Sequence, residues 1–427
     1  MRLLEAHRIS GITKFNDDSN RIMKIPAFKP PNPRNRLPVL IAARNAKMAT
    51  SAHAYVRGNT LQFYEWLDSI AEGTLPSGPP IWICGDCHVG NLGPLANSSG
   101  KVEIEIRDFD QTVIGNPAHD LVRLGLSLAM AARGSDLPGV TTARMMDLLT
   151  QGYIDAFSSV RKQPPFDRPE VMSSALKESK RRTWRHLAEE RVKGSTAQVP
   201  LGRRFWSVLK SERKAVIELV SSPEVQSFIA RLGRRDDDAR VEFLDVAYWL
   251  KGCSSLGRLR YAVLLDVGRD VERGQDFCLL DIKEAVKAVA PAYSGVSAPK
   301  DNAVRVLEGA HHLSPFLGDR MAAGKLMNRS VFIRELLPQD LKLEIKILDS
   351  AQAARCAYYL ARVVGRSHAR QMDDQTRKQW RTELLKGRSK SLGAPSWLWS
   401  SVVDLVASHE RGYLEHCRRF ALDEAFA

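Results

Sequence analysis

Apolar residues recur at helical spacing over 39–50 and again over 59–71, where Leu61, Phe63, Tyr64, Trp66, Leu67 and Ile70 form one stripe. Pro76, Gly78, Pro79 and Pro80 then break the pattern. Ile81-Trp82-Ile83-Cys84 is a short apolar run that reads as a buried strand entering a loop at Gly85-Asp86. Beyond it, two extended runs, 92–96 and 101–107, flank the turn Asn97-Ser98-Ser99-Gly100 and predict a hairpin. Its second arm alternates, with Val102, Ile104 and Ile106 on one face and Glu103, Glu105 and Arg107 on the other. Helical patterns follow at 118–133 and 142–160.

A segment of mixed strand character begins near Val241. Within it, 261–265 and 277–282 read as strands split by the turn 269–274. Residues 301–313 are helical, 331–336 extended, 350–370 a long amphipathic helix, and 398–425 a last helix with Trp397 and Trp399 at its start. The polar, Pro-rich stretch up to Pro38 reads as an arm, Arg234–Asp238 as a solvated turn or linker, and no internal repeat is visible.

At about 100–200 residues per domain, 427 residues suffice for two to four domains. A hydrophobic content of 44% with 26% charged residues is that of an ordinary globular chain and argues against wholesale disorder. Spanning a bilayer takes about 20 consecutive apolar residues. The best candidate, Leu124–Ala132, is about half that and lies between Arg123 and Arg133. The start, MRLLEAHRISG, lacks the apolar core of a secretory signal, so a soluble, cytoplasmic protein is expected. The net charge of +14 favours anionic partners without naming one. Six cysteines are too few for a disulfide scaffold, and Cys84-Gly85-Asp86-Cys87 lacks the second ligand pair a zinc site needs.

The strongest chemical signal is Gly85-Asp86-Cys87-His88-Val89-Gly90-Asn91 followed by Arg107-Asp108-Phe109-Asp110. Phosphoryl transfer needs a carboxylate to take the acceptor hydroxyl's proton and oxygen ligands to hold magnesium on the nucleotide phosphates. Asp86 suits the first role, Asn91 and Asp108 the second, and two protein ligands suffice for a metal that keeps waters and phosphates. Asp and Asn are also ordinary turn residues. The D-F-D block at the end of the hairpin arm is what favours chemistry. Asp120, near the start of the helix opened by Gly115-Asn116-Pro117, would either hold the backbone N–H groups of the catalytic loop or complement the helix dipole. Far downstream, Lys251-Gly252-Cys253-Ser254-Ser255-Leu256-Gly257 is a turn whose N–H groups would approach phosphates. Lys283 closes the next strand and would neutralise them, with Glu308 placed to pair with it.

Together these blocks resemble the protein-kinase-like fold, in particular its aminoglycoside and choline phosphotransferase branch. That branch carries G-D-x-H-x-x-N, D-x-D or D-F, and G-x-P-x-x-D-L, which 85–91, 108–110 and 115–121 match in order. More specifically the chain resembles the bacterial domain of unknown function 2252 family. That likeness runs from Lys47-Met48 and Tyr55-Val56-Arg57-Gly58 through both acidic blocks to Leu279–Ala285, Arg334 and Ser367-His368-Ala369-Arg370; the stretch around 160–235 is poorly matched. Ser254 stands where the family has its middle glycine, and Arg258 and Arg260 flank Leu259 where one arginine is the hallmark. The block order is reversed relative to an ordinary kinase, as if the chain were circularly permuted at the end of the helix 351–368.

The resemblance implies an α+β, two-lobed fold. Residues 1–34 would form an arm, 35–240 and 338–427 the catalytic part, and 241–337 the nucleotide part. It implies an ATP- and magnesium-dependent transfer of phosphate to a hydroxyl of a small-molecule acceptor. Asp86 is then the base, Asn91 and Asp108 the metal ligands, and His88 and Asp120 structural support. Gly252, Ser254, Ser255, Gly257, Lys283 and Glu308 would serve the nucleotide. Rival expectations are a non-catalytic nucleotide- or nucleic-acid-binding scaffold and nucleotidyl transfer to protein. The basic stretch 177–214 bears on the nucleic-acid alternative, since Trp184 and Trp206 would stack on bases there; the other reading of it is an amphipathic helix with a solvated basic face. His311-His312 reads as helix surface, and Arg57 as a candidate to reach the cleft. One geometric consequence is sharp: Lys283 must come within about 4–8 Å of the phosphates that Asp108 serves, and His368 must approach the strand at 81–84.

Overall fold

The computed structural model describes residues 30–97, 99–158, 168–182, 198–232, 240–268, 277–341, 349–386 and 393–420. The expected arm (apart from 30–34), the linker 234–238, the turn 269–274 and Trp184 lie outside the described residues. The fold is α+β. Its strands are β1 (Ile81–Ile83), β2 (Leu92–Ala96), β3 (Val102–Ile106), β4 (Val113–Gly115), β5 (Phe205–Trp206), β6 (Val241–Trp249), β7 (Arg260–Val267), β8 (Phe277–Glu284), β9 (Met321–Leu326) and β10 (Arg329–Glu335). The last six form one antiparallel sheet in the order β5-β6-β7-β8-β10-β9, while β1 pairs with β4 and β2 with β3. The helix Asn302–Leu313 connects β8 to the β9–β10 hairpin, capped by Asp301, which accepts from the N–H groups of Ala303 and Val304.

The expected hairpin forms with Leu92 opposite Ile106 and Ala96 opposite Val102. Val102, Ile104 and Ile106 are buried as their alternation requires, and so is Glu105, whose carboxylate accepts from the Ser314 hydroxyl. Both faces of this small sheet are therefore covered, and Glu105 keeps a partner because a buried carboxylate without one is costly. Ile81-Trp82-Ile83 forms a strand three residues long, fully buried.

The large core is helical. Pro117–Arg133 starts with Asn116 accepting from the Ala118 N–H and Pro117 in the first turn, an arrangement that suits a helix start. It is buried along almost its whole length, which explains its near-continuous apolar sequence without any membrane. No helix among the described residues is long and apolar enough to cross a bilayer. Gly139–Asp155 and Ser350–Ala369 pack beside it in the same core. The helix Ser396–Phe420 ties back to the start of the chain: Trp66 Nε1 donates to Asp404 (2.6 Å), Gln62 Nε2 to the Ser408 carbonyl (2.9 Å) and the Tyr413 hydroxyl to the Ala49 carbonyl (3.1 Å).

The six-stranded sheet has its own apolar cluster on one face, built from Trp206, Val216, Val220, Phe228, Tyr261 and Val263 among others. The other face carries a smaller cluster that includes Val199, Phe205, Trp249, Leu264 and Leu336. Trp206 is 1% exposed, so it is core and cannot stack on a nucleic-acid base. The described parts of the basic stretch 177–214 are the end of the helix Glu170–Arg181, where Ser179 is buried, residues 198–209 with β5, and the start of the helix Lys210–Val220.

Candidate functional site

The turn after β1 depends on Gly85. Its φ is +72°, and a Cβ there would lie 2.1 Å from the Gln111 carbonyl oxygen, so neither conformation nor space admits a side chain. Asp120 settles the two roles left open for it: its carboxylate accepts from the N–H groups of Cys84 (2.7 Å) and Gly85 (2.9 Å). His368 Nε2, from the end of the helix Ser350–Ala369, donates to the same carboxylate at 3.1 Å. Next to it Gln371 brackets β1, accepting from the Trp82 N–H (2.9 Å) and donating to the Trp82 carbonyl (3.0 Å). The Tyr64 hydroxyl donates to the Gly85 carbonyl, and Asn91 Nδ2 donates to the Asp86 carbonyl at 3.0 Å. Four side chains, those of Tyr64, Asn91, Asp120 and Gln371, thus bond directly to one short stretch of backbone, and His368 buttresses Asp120.

Asp86 sits on this turn, buried. Arg123 Nε donates to its Oδ1 at 3.0 Å, and Arg123 also donates to the Val56 carbonyl at 2.6 Å. Burial pushes the Asp86 carboxyl above its ordinary range, and Arg123 and the Thr60 hydroxyl oppose that rise. His88 Nε2 lies 3.8 Å from Asp86 Oδ2. Burial, with Arg57 and Arg123 close by, pushes the His88 imidazole well below its usual value, so it is neutral near pH 7.

Across from the turn, Lys283 on β8 reaches Asp108 at 3.5 Å and is ion-paired with Asp110. The expected partner was Glu308, and that pair does not form. Glu308 is half-buried, and its helix instead turns Arg305 toward the D-F-D block. Arg305 donates to the carbonyls of Thr112, Asp110 (3.0 Å) and Val286 (2.8 Å). Asp110, two residues beyond Asp108, brings its carboxylate to the lysine from the same loop, leaving no need for one from the helix.

Strand register assembles the rest. Arg260 lies across from Lys283, and Arg334 across from Asp281, so all four share one face. Asp281 accepts from Arg260 (2.9 and 2.6 Å) and Arg334 (2.9 Å), with Lys251 at 3.6 Å. Burial works against its ionisation, but Arg260, Lys251 and Arg334 hold its carboxyl well below the usual range. Asp108 is likewise kept ionised against burial by Lys283, Arg260 and Arg334. Arg107 beside it is pushed down to about 10, chiefly by burial. Cations outnumber carboxylates around this cleft, which suits an anionic ligand. As folded, the cavity between Asp108, Lys283, Arg260, Arg334 and Phe332 is about 20 Å³, room for about one water.

The turn 250–259 joins β6 to β7, with Gly252 at φ +80° and Gly257 at φ +94°. Ser255 is buried and serves the turn itself: its hydroxyl donates to the Lys251 carbonyl (2.6 Å) and accepts from Arg260 (3.1 Å). Ser254 is half-buried, and Lys47 donates to the Gly252 carbonyl at 2.9 Å, so the turn is tethered to the first helix, Arg36–Ala49.

Asn91 uses its amide nitrogen on the Asp86 carbonyl, which leaves its amide oxygen for a metal, and Asp108 supplies an ionised oxygen. These two fit magnesium, a cation content with few protein ligands. Among the described residues no three His, Cys, Asp or Glu side chains converge as a ready-made metal cage. Cys84 and Cys87 are free, buried thiols.

Asp110, Arg260 and Arg334 stand in blocks that the sequence singles out, though without a role there, and Arg123 and Asp281 are the site residues to which it gives no chemistry. Both had a visible signal: Arg123 interrupts the apolar run 121–132, and Asp281 the run Leu279–Ile282, and a charge inside a buried element needs a partner. No curated protein and no solved structure matches this chain. A family described as an uncharacterised protein conserved in bacteria, DUF2252, matches over residues 36–419, and the chain belongs to that family.

Proposed function

We propose that the chain is an ATP- and magnesium-dependent phosphotransferase acting on a hydroxyl of a small molecule, on a kinase-like fold of two parts with permuted block order. The observation that carries this reading is the meeting of Lys283 with Asp108 at 3.5 Å, across 175 residues of sequence, beside a turn that holds Asp86 and Asn91. The docking of His368 and Gln371 onto Asp120 and β1 supports the permutation, because it places the end of that helix where an ordinary chain would run on into the catalytic turn.

In this reading Asp86 accepts the proton of the acceptor hydroxyl as its oxygen forms a bond to the terminal phosphorus and the bond from that phosphorus to the leaving diphosphate breaks. Arg123 orients Asp86, and its charge keeps the carboxylate available against burial. Lys283, Arg260 and Arg334 bind the phosphate oxygens. Magnesium, held by Asn91 and Asp108, would neutralise charge on the phosphates. Ligand binding requires the sheet to draw back from the turn, since the cavity between them is about 20 Å³. Lys283 then exchanges Asp110 for phosphate.

The test is purified protein with magnesium and terminally labelled ATP in a metabolite extract. Label should pass to a small molecule, and Asp86→Asn should keep magnesium-ATP binding while losing transfer by about two to four orders of magnitude. Wild-type activity in Asp86→Asn removes Asp86 from the mechanism. Label that appears on protein only when carried at the first phosphate would select nucleotidyl transfer instead.

A further inference from the structure

A cavity of about 850 Å³ borders the catalytic turn and is unused by the residues assigned so far. Val89 and Gly90 of the turn form one wall, and Leu128, Met130, Met145 and Cys356 make much of the remainder apolar. Among its charged lining residues, Arg133 and Glu410 pair with each other at 2.5 Å, and Arg133 and Asp136 are exposed. The inner charge is Arg57.

Arg57 lies flat against the turn: a Cβ on Gly90 would fall 2.6 Å from its guanidinium carbon, so residue 90 must be glycine for Arg57 to sit there. Its Nε is buried with no hydrogen-bond partner among the described residues. A guanidinium placed between a cavity and a catalytic turn, with donor capacity unspent, is a ready partner for a carboxylate or phosphate.

We propose that this cavity is the acceptor pocket and that it selects small hydroxy compounds that carry an anionic group beside an apolar body, with Arg57 gripping the anion. This rests on the phosphotransferase reading and narrows it, since it excludes cationic amino sugars and amino alcohols.

The test uses three probes of one shape and three charges: mandelate, mandelamide and 2-amino-1-phenylethanol. Each carries a hydroxyl and a phenyl group. They are titrated at millimolar concentration by calorimetry, without ATP, against the wild type, Arg57→Met and Arg57→Lys. The expected result is that the wild type binds mandelate at least about tenfold more tightly than the amide, which Arg57→Lys retains in part and Arg57→Met abolishes. Unchanged melting of Arg57→Met without ligand shows that its fold is intact. No preference for the anion, or the same preference in Arg57→Met, overturns the pocket assignment. Because no nucleotide is present, this result is separate from any failure of phosphate transfer. If an acceptor emerges from the labelled extract, Arg57→Met should raise its KM and leave the affinity for magnesium-ATP unchanged.

Discussion

Replacing Asp120 by Asn changes one atom in a fully packed place, and the consequence can be worked from its contacts. The carboxylate accepts three hydrogen bonds, from Cys84 N–H, Gly85 N–H and His368 Nε2, at 2.7, 2.9 and 3.1 Å, and the residue is 1% exposed. Hydrogen bonds to a charged group contribute about 1.5–3 kcal/mol each. Two of these bonds end on Oδ2 and one on Oδ1, so an amide whose oxygen takes the Oδ2 position keeps two and turns its NH2 group toward the Gly85 N–H; one bond is lost, at a cost of about 1.5–3 kcal/mol. At roughly 2 °C per kcal/mol for a large chain, the melting temperature should fall by about 3–6 °C. Scanning calorimetry of the variant beside the wild type measures this. Asp68→Asn serves as control, because Asp68 is exposed and surface changes stay within about 0.5 kcal/mol. A fall of less than about 2 °C in Asp120→Asn would mean that the turn is held by something other than this carboxylate, and the structural case for a preorganised Asp86 would go with it.

Asp108→Ala should abolish magnesium-dependent thermal stabilisation by ATP, whereas Cys87→Ser should leave it intact; control of the melting temperature by chelated zinc or reductant would instead point to the thiols. Acid should weaken the fold through two histidines held largely out of water. Burial pushes His119 down to about 4 and His409 down to about 3. An unfolded histidine binds its proton near pH 6.5, so the unfolded chain takes up protons that the folded one refuses, and stability present above about pH 6.5 falls as pH drops toward these values. At about 1.4 kcal/mol per pH unit per group, the two together cost about 4 kcal/mol by pH 5. Urea midpoints at pH 7 and pH 5 read this directly, and equal midpoints would refute it.

Legibility in the sequence followed the range of the forces involved. The hairpin 92–106 and the helices Pro117–Arg133, Asn302–Leu313 and Ser350–Ala369 were legible because alternation, Asn and Asp caps and apolar stripes are local. The turn 85–91 was legible for the same reason: its glycine, aspartate and asparagine lie within seven residues. Lys283 could be named, but its partner could not. Choosing between Glu308 and Asp110 depends on how a helix is rotated against a loop more than 170 residues away, and no spacing encodes that. Arg123 read as the end of an apolar run because its partner, Asp86, comes from another segment. The pairing of β10 between β8 and β9 is likewise a matter of crossover, not of pattern.

The ties between Ser396–Phe420 and the first helices bear on how the chain is made. On the ribosome Phe63, Trp66 and the turn with Asp86 emerge hundreds of residues before the helix that receives Trp66 and Gln62. Until then Trp66 lacks the partner for its indole N–H, and the nascent chain must carry it past chaperones and proteases. A product cut short before Asp404 would lack that partner for good and should be cleared by proteolysis, with no half-active remnant accumulating. Translation to the helix Ser396–Phe420 thereby acts as a quality check on the turn that carries Asp86.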